Sequence, residues 1–254
     1  MKLDFDGVSA GYKKKSILEQ VSLSVPQGQI TALIGRNGAG KSTLIRCLTG
    51  GKQDYSGAIT MDGKNVRSFN SRGLAKQIAC LPQELPRPRV TVKELVSFGR
   101  APYTPITGRL SPRDEELVEK AILDGEISHL KNEFVDCLSG GERKKAFFAM
   151  VLAQNTPVVV LDEPTAHLDM VSRFAFLELV EKICREQGKT FLVVMHDLPD
   201  VLRFADNVAV LHQKNIVFQG KPEDVIQQKI PEKYFGITLT GNRETGFAAT
   251  PTKE

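Results

Sequence analysis

Tryptophan is absent from this 254-residue chain, and cysteine and histidine occur four times each. Cys47, Cys80, Cys137 and Cys184 show no paired metal-ligand spacing, so they read as reduced thiols rather than as a metal site. No apolar run approaches the roughly 20 residues needed to cross a bilayer, which argues against a membrane-embedded chain. Lys2, Asp4 and Asp6 interrupt any apolar core at the start, so no signal peptide is expected and the chain is expected to stay in the cytosol. Excess charge is also scarce. A net charge of +4, with no basic stripe interleaved with aromatics, gives no ground for a nucleic-acid partner. Neither heptads nor internal repeats occur. What is present is a chain 41% apolar, long enough to bury a large core as one α/β domain, with or without a helical insertion.

Three glycines organise the most informative segment. Gly35, Arg36, Asn37, Gly38, Ala39, Gly40, Lys41 and Ser42 follow the apolar run Ile30–Ile34 and precede a helix-like run, Thr43–Leu48. Strand, glycine loop and helix, in that order, form the P-loop pattern and predict a nucleotide binder. Glycines let the backbone take conformations closed to other residues, so its N–H groups converge on an anion. The following helix adds the positive end of its dipole. Lys41 is expected near the β- and γ-phosphates of ATP. The Ser42 hydroxyl is expected to meet Mg²⁺, with Thr43 on the α/β side.

A second, acidic element fits the first. Val158–Leu161 is short, apolar and valine-rich, the pattern of a buried central strand, and it ends in Asp162-Glu163-Pro164. Adjacent carboxylates at a strand tip repel unless a cation sits there, so the pair suggests a metal. Asp162 is the expected Mg²⁺ ligand, and Glu163 the group that orients and deprotonates an attacking water. Read without the P-loop, the same residues make a solvated turn.

Between these two elements stands Leu-Ser-Gly-Gly-Glu at Leu138–Glu142. Ser139 begins a helix there, and Gly140 and Gly141 expose backbone N–H groups to a second anion. With the P-loop before it and the acidic strand after it, this pentapeptide resembles the signature of ABC ATPases. The resemblance implies that Ser139, Gly140, Gly141 and Glu142 meet the γ-phosphate bound by a second copy, so that ATP lies between two chains of a head-to-tail homodimer. It further implies that Tyr12 stacks on adenine and that Gln83, after Ile78–Leu81, touches Mg²⁺ and water and links to a membrane partner. Asp169, in His167-Leu168-Asp169, would cross the dimer interface. His196, after Thr190–Met195, would contact the γ-phosphate. Read singly, Tyr12 is a packing aromatic, Gln83 a loop residue and His196 a structural histidine. The chain departs from many signatures at Lys144, where a glutamine is usual. That change spares the phosphate-facing residues and is expected to alter packing or charge along a helix with one buried face from Arg143 to Met150.

The expected architecture is an α/β P-loop fold of ABC type. Leu3–Val8, Val21–Val25 and Ala58–Met61 form an antiparallel β subdomain. Ile30–Ile34, Ile78–Leu81, Val158–Leu161 and Thr190–Met195 form a mainly parallel core. Prolines 82, 86, 88, 102, 105 and 112 cluster with helix-like runs at Val92–Phe98 and Pro112–Leu123, matching a helical subdomain over about 84–137. Val208–Leu211 and Ile216–Phe218 read as a terminal hairpin, followed by a short helix from Pro222. The ATPase domain spans 1–235. The tail 236–254 belongs to a polar, Gly/Thr-rich end whose last part is expected to be loose.

Membrane helices, a second ATPase unit and coiled coils are all missing, which leaves a separate ATPase subunit of a transporter. Phe98–Asp114 and Thr165–Met170 are similar to the corresponding stretches of iron–siderophore, haem and cobalamin importer ATPases. This implies a polytopic permease partner, an indirectly coupled substrate-binding protein, and a peripheral position on the cytoplasmic face of the membrane. Ferric siderophore is the expected cargo, with haem or cobalamin next. A soluble, non-transport ABC switch is the competing class, and a P-loop kinase or other NTPase lacking a signature is a second.

Overall fold

The computed structural model describes residues 1–12, 15–50, 54–104, 108–242 and 246–252. It divides into two compact units, Met1–Ser68 with Thr190–Glu254, and Phe69–Lys189.

The first unit opens with β1 (Leu3–Tyr12), β2 (Lys15–Val25), β3 (Ile30–Ile34), α1 (Lys41–Leu48), β4 (Tyr55–Met61) and β5 (Lys64–Asn65). The alternating apolar residues of β1, β2 and β4 pair antiparallel in the order β2-β1-β4-β5, with Leu3 opposite both Val25 and Met61. This is the expected antiparallel subdomain, with β1 extending to Tyr12 and β2 beginning at Lys15, both longer than the apolar alternation indicated. β3 is buried at every position, as a strand covered on both faces must be.

The second unit holds α2 (Ser71–Leu74), β6 (Ile78–Leu81), α3 (Val92–Ser97), α4 (Pro112–Asp124), α5 (Gly140–Ala153), β7 (Val158–Asp162) and α6 (Met170–Gln187). β6 and β7 pair in parallel, Ile78 opposite Val158 through Leu81 opposite Leu161. Capping boxes start α3 at Thr91 with Glu94 and α4 at Ser111 with Asp114. Ala146, Phe147, Phe148 and Ala149 are consecutive and all buried, so α5 is covered around its circumference rather than along one face as expected. The Phe148 ring meets Phe176 of α6 edge-on at 5.2 Å between centroids. The importer-like stretch Phe98–Asp114 passes through 105–107, which lie outside the described residues.

A buried cation fastens that stretch. Arg100 is 4% exposed and pairs with Asp114 at 2.9 Å. It also donates to the carbonyl of Ala153 at 2.7 Å, at the end of α5 where helix carbonyls run out of partners. Its guanidinium lies 3.9 Å from the centre of the Tyr103 ring. At Gly99 an added Cβ would fall 2.2 Å from the Met150 carbonyl oxygen, so only glycine allows this approach to α5.

The chain then returns to the first unit with β8 (Thr190–Met195), α7 (Leu198–Phe204), β9 (Asn207–His212), β10 (Asn215–Gly220), α8 (Pro222–Gln227), α9 (Ile230–Phe235), β11 (Ile237–Asn242) and β12 (Gly246–Pro251). β3 pairs in parallel with both β8 and β9, and β10 pairs antiparallel with β9. The hairpin β9–β10 forms as expected but is not terminal. The polar tail adds a second hairpin, with Ile237 opposite Pro251 and Asn242 opposite Gly246. Its threonines and glycines serve as strand residues. Residues 243–245 and 253–254 lie outside the description. Among the described residues no helix is long and apolar enough to cross a membrane.

Cys47, Cys80, Cys137 and Cys184 form no disulfide among the described residues, and of the four only Cys137 is exposed. Burial pushes the Cys47 thiol up to about 11 and Cys80 up to about 12. At pH 8, iodoacetamide should label Cys137 within minutes and leave Cys47 and Cys80 unlabelled by mass spectrometry. Arg100→Ala strands the buried Asp114 carboxylate and should destabilise the second unit by about 3–5 kcal/mol, read as a lower unfolding midpoint. Leu123→Ser, at a position 68% exposed, should change stability by less than about 0.5 kcal/mol.

Candidate functional site

In the first unit the glycine loop leaves the end of β3 and enters α1. Ala39 N–H donates to the Arg36 carbonyl at 3.1 Å, closing the turn. Gly38 and Gly40 have φ of +79° and +111°, a region that side-chain-bearing residues rarely enter. A Cβ on Gly40 would lie 2.7 Å from Leu18 Cδ2, so β2 closes over this part of the loop, whereas nothing lies within 4 Å of one on Gly38. Gly40 is also the N-cap of α1 and brings no side-chain acceptor to the first turn. That leaves the helix start suited to an outside anion. Lys41 is 6% exposed, and its ammonium is held by the carbonyls of Gly35 at 2.7 Å and Arg36 at 3.3 Å. A cation already resting among loop carbonyls, beside an uncapped helix start, fits a phosphate chain.

Strand register places the histidine. Ile34 of β3 lies opposite Met195 of β8 in a parallel pair. Gly35 and His196 therefore leave neighbouring strands at the same carboxyl edge, where ligands of open α/β sheets bind. His196 is exposed there, while Thr43 is buried inside the first turn of α1. Tyr12 is 44% exposed, and its phenol oxygen accepts from Arg46 Nη1 at 3.0 Å.

In the second unit the same logic joins Gln83 to the acidic pair. Leu81 lies opposite Leu161, so Gln83 and Glu163 emerge from one edge. Gln83 Nε2 donates to Glu163 Oε2 at 2.7 Å. Glu163 has φ of +48°, a left-handed conformation that is strained for a residue with a side chain. Asp162 precedes it at the strand end, half-buried, and its carboxylate adds to the rise of the Cys80 thiol.

Ser139 is the N-cap of α5 in a reciprocal box. Glu142 N–H donates to Ser139 Oγ at 3.4 Å, and Ser139 N–H donates to Glu142 Oε2 at 2.9 Å. The Ser139 hydroxyl, and after it the Ser139 N–H, hold the Glu142 carboxyl below its ordinary range. Ser139 and Gly140 are exposed, and a Cβ on Gly141 would come within 3.2 Å of Ser172 Oγ at the start of α6. Asp169 is the N-cap of α6. Its carboxylate accepts from Ser172 N–H at 2.9 Å and from Ser172 Oγ at 2.7 Å, which lowers its pKa. One cleft is lined by Ser139, Glu142, Leu168 and Ser172, so the signature turn and the start of α6 share a surface.

Two residues near the site were not singled out for it by sequence reasoning. Lys144 was assigned to packing or charge along its helix. It is 5% exposed, and burial with the neighbouring Arg143 charge lowers its pKa, while the Glu163 carboxylate opposes that shift. Arg46 stands four residues after Ser42, and that spacing on a helix was the available signal.

Comparison with known proteins adds a family. The model of the ABC transporter family matches residues 18–166. The ferric enterobactin transport ATP-binding protein FepC of Escherichia coli (strain K12) is 38% identical, the match covering 93% of this chain and 88% of the relative. The petrobactin import ATP-binding protein FpuD of Bacillus anthracis is 37% identical over 92% and 86%. The iron(3+)-hydroxamate import ATP-binding protein FhuC of Bacillus subtilis (strain 168) is 34% identical over 92% and 88%. Among solved structures, cbiO1 from Clostridium perfringens, part of the ABC transporter complex cbiONQ, superposes with a TM-score of 0.80 at 28% identity, covering 92% of this chain and 95% of that one.

Ser139→Ala removes the acceptor from the first turn of α5. The helix should lose about 1 kcal/mol, and hydrogen exchange at the Glu142 amide should quicken about fivefold. An unchanged exchange rate would show that the box does not hold the turn.

Proposed function

The chain belongs to the ABC transporter family, and on that premise we propose that it is the ATP-hydrolysing subunit of an importer for ferric siderophores. The relatives' iron-carrier cargoes support the cargo class. The reading is carried most by the P-loop itself, an uncapped helix start with Lys41 already lodged among the Gly35 and Arg36 carbonyls.

The first unit takes the nucleotide. Gly35, Arg36, Asn37, Gly38, Ala39 and Gly40 wrap the phosphates with backbone N–H groups. Lys41 offsets the β- and γ-phosphate charge, Thr43 supports the α/β side and Tyr12 carries the adenine. Ser42 in this unit, and Asp162 with Gln83 in the other, offer hard oxygen donors of the kind Mg²⁺ takes beside substrate phosphates. When bound, Mg²⁺ supplies positive charge against the triphosphate.

Glu163 orients the attacking water and accepts its proton, with Gln83 fixing the carboxylate in the meantime. Lys41 and His196 stabilise charge that develops on the γ-phosphoryl group. Ser139, Gly140, Gly141 and Glu142 complete the grip on the γ-phosphate held by a second copy, and Asp169 lines that interface. Two copies thus form a head-to-tail dimer. Closing and opening of the dimer moves a polytopic permease to which the chain docks peripherally on the cytoplasmic face, with a substrate-binding protein coupled indirectly.

Glu163→Gln should retain ATP binding and lower turnover by about 100-fold or more, the scale of a lost general base. It should also double the mass with ATP by light scattering. A fully active Glu163→Gln protein removes the base assignment. Lys41→Ala should abolish binding of a fluorescent ATP analogue, and undiminished affinity counts against the loop's role. Extraction from native membranes should recover the chain with a multi-span permease. A chain recovered with no membrane partner would contradict the importer reading.

A further inference from the structure

The outward face of α1 is narrow. Lys41, Thr43, Leu44, Ile45, Cys47 and Leu48 are all buried, which leaves Ser42 and Arg46 as its two outward positions. They lie four residues apart and so stand one turn apart on one stripe. Ser42 is at the phosphate end of that stripe. At the other end, Arg46 Nη1 donates to Tyr12 Oη at 3.0 Å.

The backbone beneath Tyr12 is fixed. Tyr12 is the last paired residue of β1, opposite Lys15 of β2. Gly11 before it runs so close to β2 that a Cβ there would sit 2.3 Å from the Lys15 carbonyl oxygen. The ring projects from this rigid base and is 44% exposed. Exposed aromatic rings turn between rotamers, and a ring that must be ordered when a ligand arrives weakens binding by that ordering. A guanidinium has donors in a fixed planar array, so one bond to a phenol oxygen restricts both the position and the direction of the ring.

We propose that Arg46 is a positioning residue of the base subsite: it holds the Tyr12 ring ready for the adenine of a nucleotide whose phosphates occupy the P-loop. The helix that begins at the phosphate grip thereby also sets the base platform, one turn further along. This inference rests on the reading of Tyr12 as the adenine platform. Arg46 acts through Tyr12 and does not touch the nucleotide.

Isothermal titration of the full chain with ATP, and separately with inorganic tripolyphosphate, tests the proposal. Arg46→Ala and Tyr12→Phe should each weaken ATP about threefold to tenfold, the scale of one hydrogen bond and one ordered side chain. The double variant should be no weaker than either single one, because both remove the same bond. Tripolyphosphate, which has no base, should bind all three as it binds the wild type. In turnover assays the loss should appear in KM rather than kcat. Additive losses, a loss of tripolyphosphate affinity, or full ATP affinity in Arg46→Ala would each overturn the proposal. Tyr12→Ala separates the two levels. If it leaves ATP affinity intact, the platform reading itself fails. If it weakens ATP while Arg46→Ala does not, only the role of Arg46 fails. Arg46→Met, which keeps the aliphatic stem, replaces the alanine variant should that variant misfold.

Discussion

Helix starts bind anions because their first N–H groups have no carbonyl within the helix. The two helices that matter most here solve that deficit differently. α1 begins on Gly40, which brings no side chain to the task, so the loop and the helix together present an unanswered positive edge. α5 begins on Ser139, whose oxygen answers Glu142 N–H while the Glu142 carboxylate answers Ser139 N–H. One start is left open for a triphosphate. The other is closed by its own box. That asymmetry suits a nucleotide gripped firmly on one side and touched transiently on the other.

The rest of each unit serves to aim these ends. Parallel pairing brings Gly35 and His196 to one edge in the first unit, and Gln83 and Glu163 to one edge in the second. The strands doing this are short and almost wholly buried, so their register is set by packing on both faces. A shift of one residue in β3 against β8 would move His196 away from the loop. The strained φ at Glu163 follows from the same demand, since the chain must turn sharply at the strand tip while the carboxylate stays in reach of Gln83.

Much of this was legible because the signals are local. Glycine spacing at Gly35–Gly40 announces the loop, and short, mostly apolar runs announce β3, β7 and β8. Alternation with period two announced Leu3–Val8 and Val21–Val25 as antiparallel strands, though not their register. Other features depend on distant partners and left little trace. The circumferential burial of α5 comes from neighbours on several sides, which a pattern within the helix underreports. The tail hairpin β11–β12 is rich in threonine and glycine and lacks the apolar alternation that marks a strand, so its pairing was not legible. Lys144 gave no hint that it would be buried in the field of Glu163, because a lysine on a helix ordinarily reaches solvent. Arg46 is a surface arginine by sequence, and only the path of β1 brings a phenol to it.

The central claim is that each nucleotide site is assembled from the P-loop of one copy and the signature turn of another. Complementation measures this directly. A chain carrying Lys41→Ala and a chain carrying Ser139→Arg are each expected to be inactive alone, since every site in either homodimer has one broken half. Mixed, they form heterodimers in which one site joins an intact Lys41 to an intact Ser139, and ATP turnover should return. A mixture no more active than its parents would mean that each chain completes its own site, and would contradict the account.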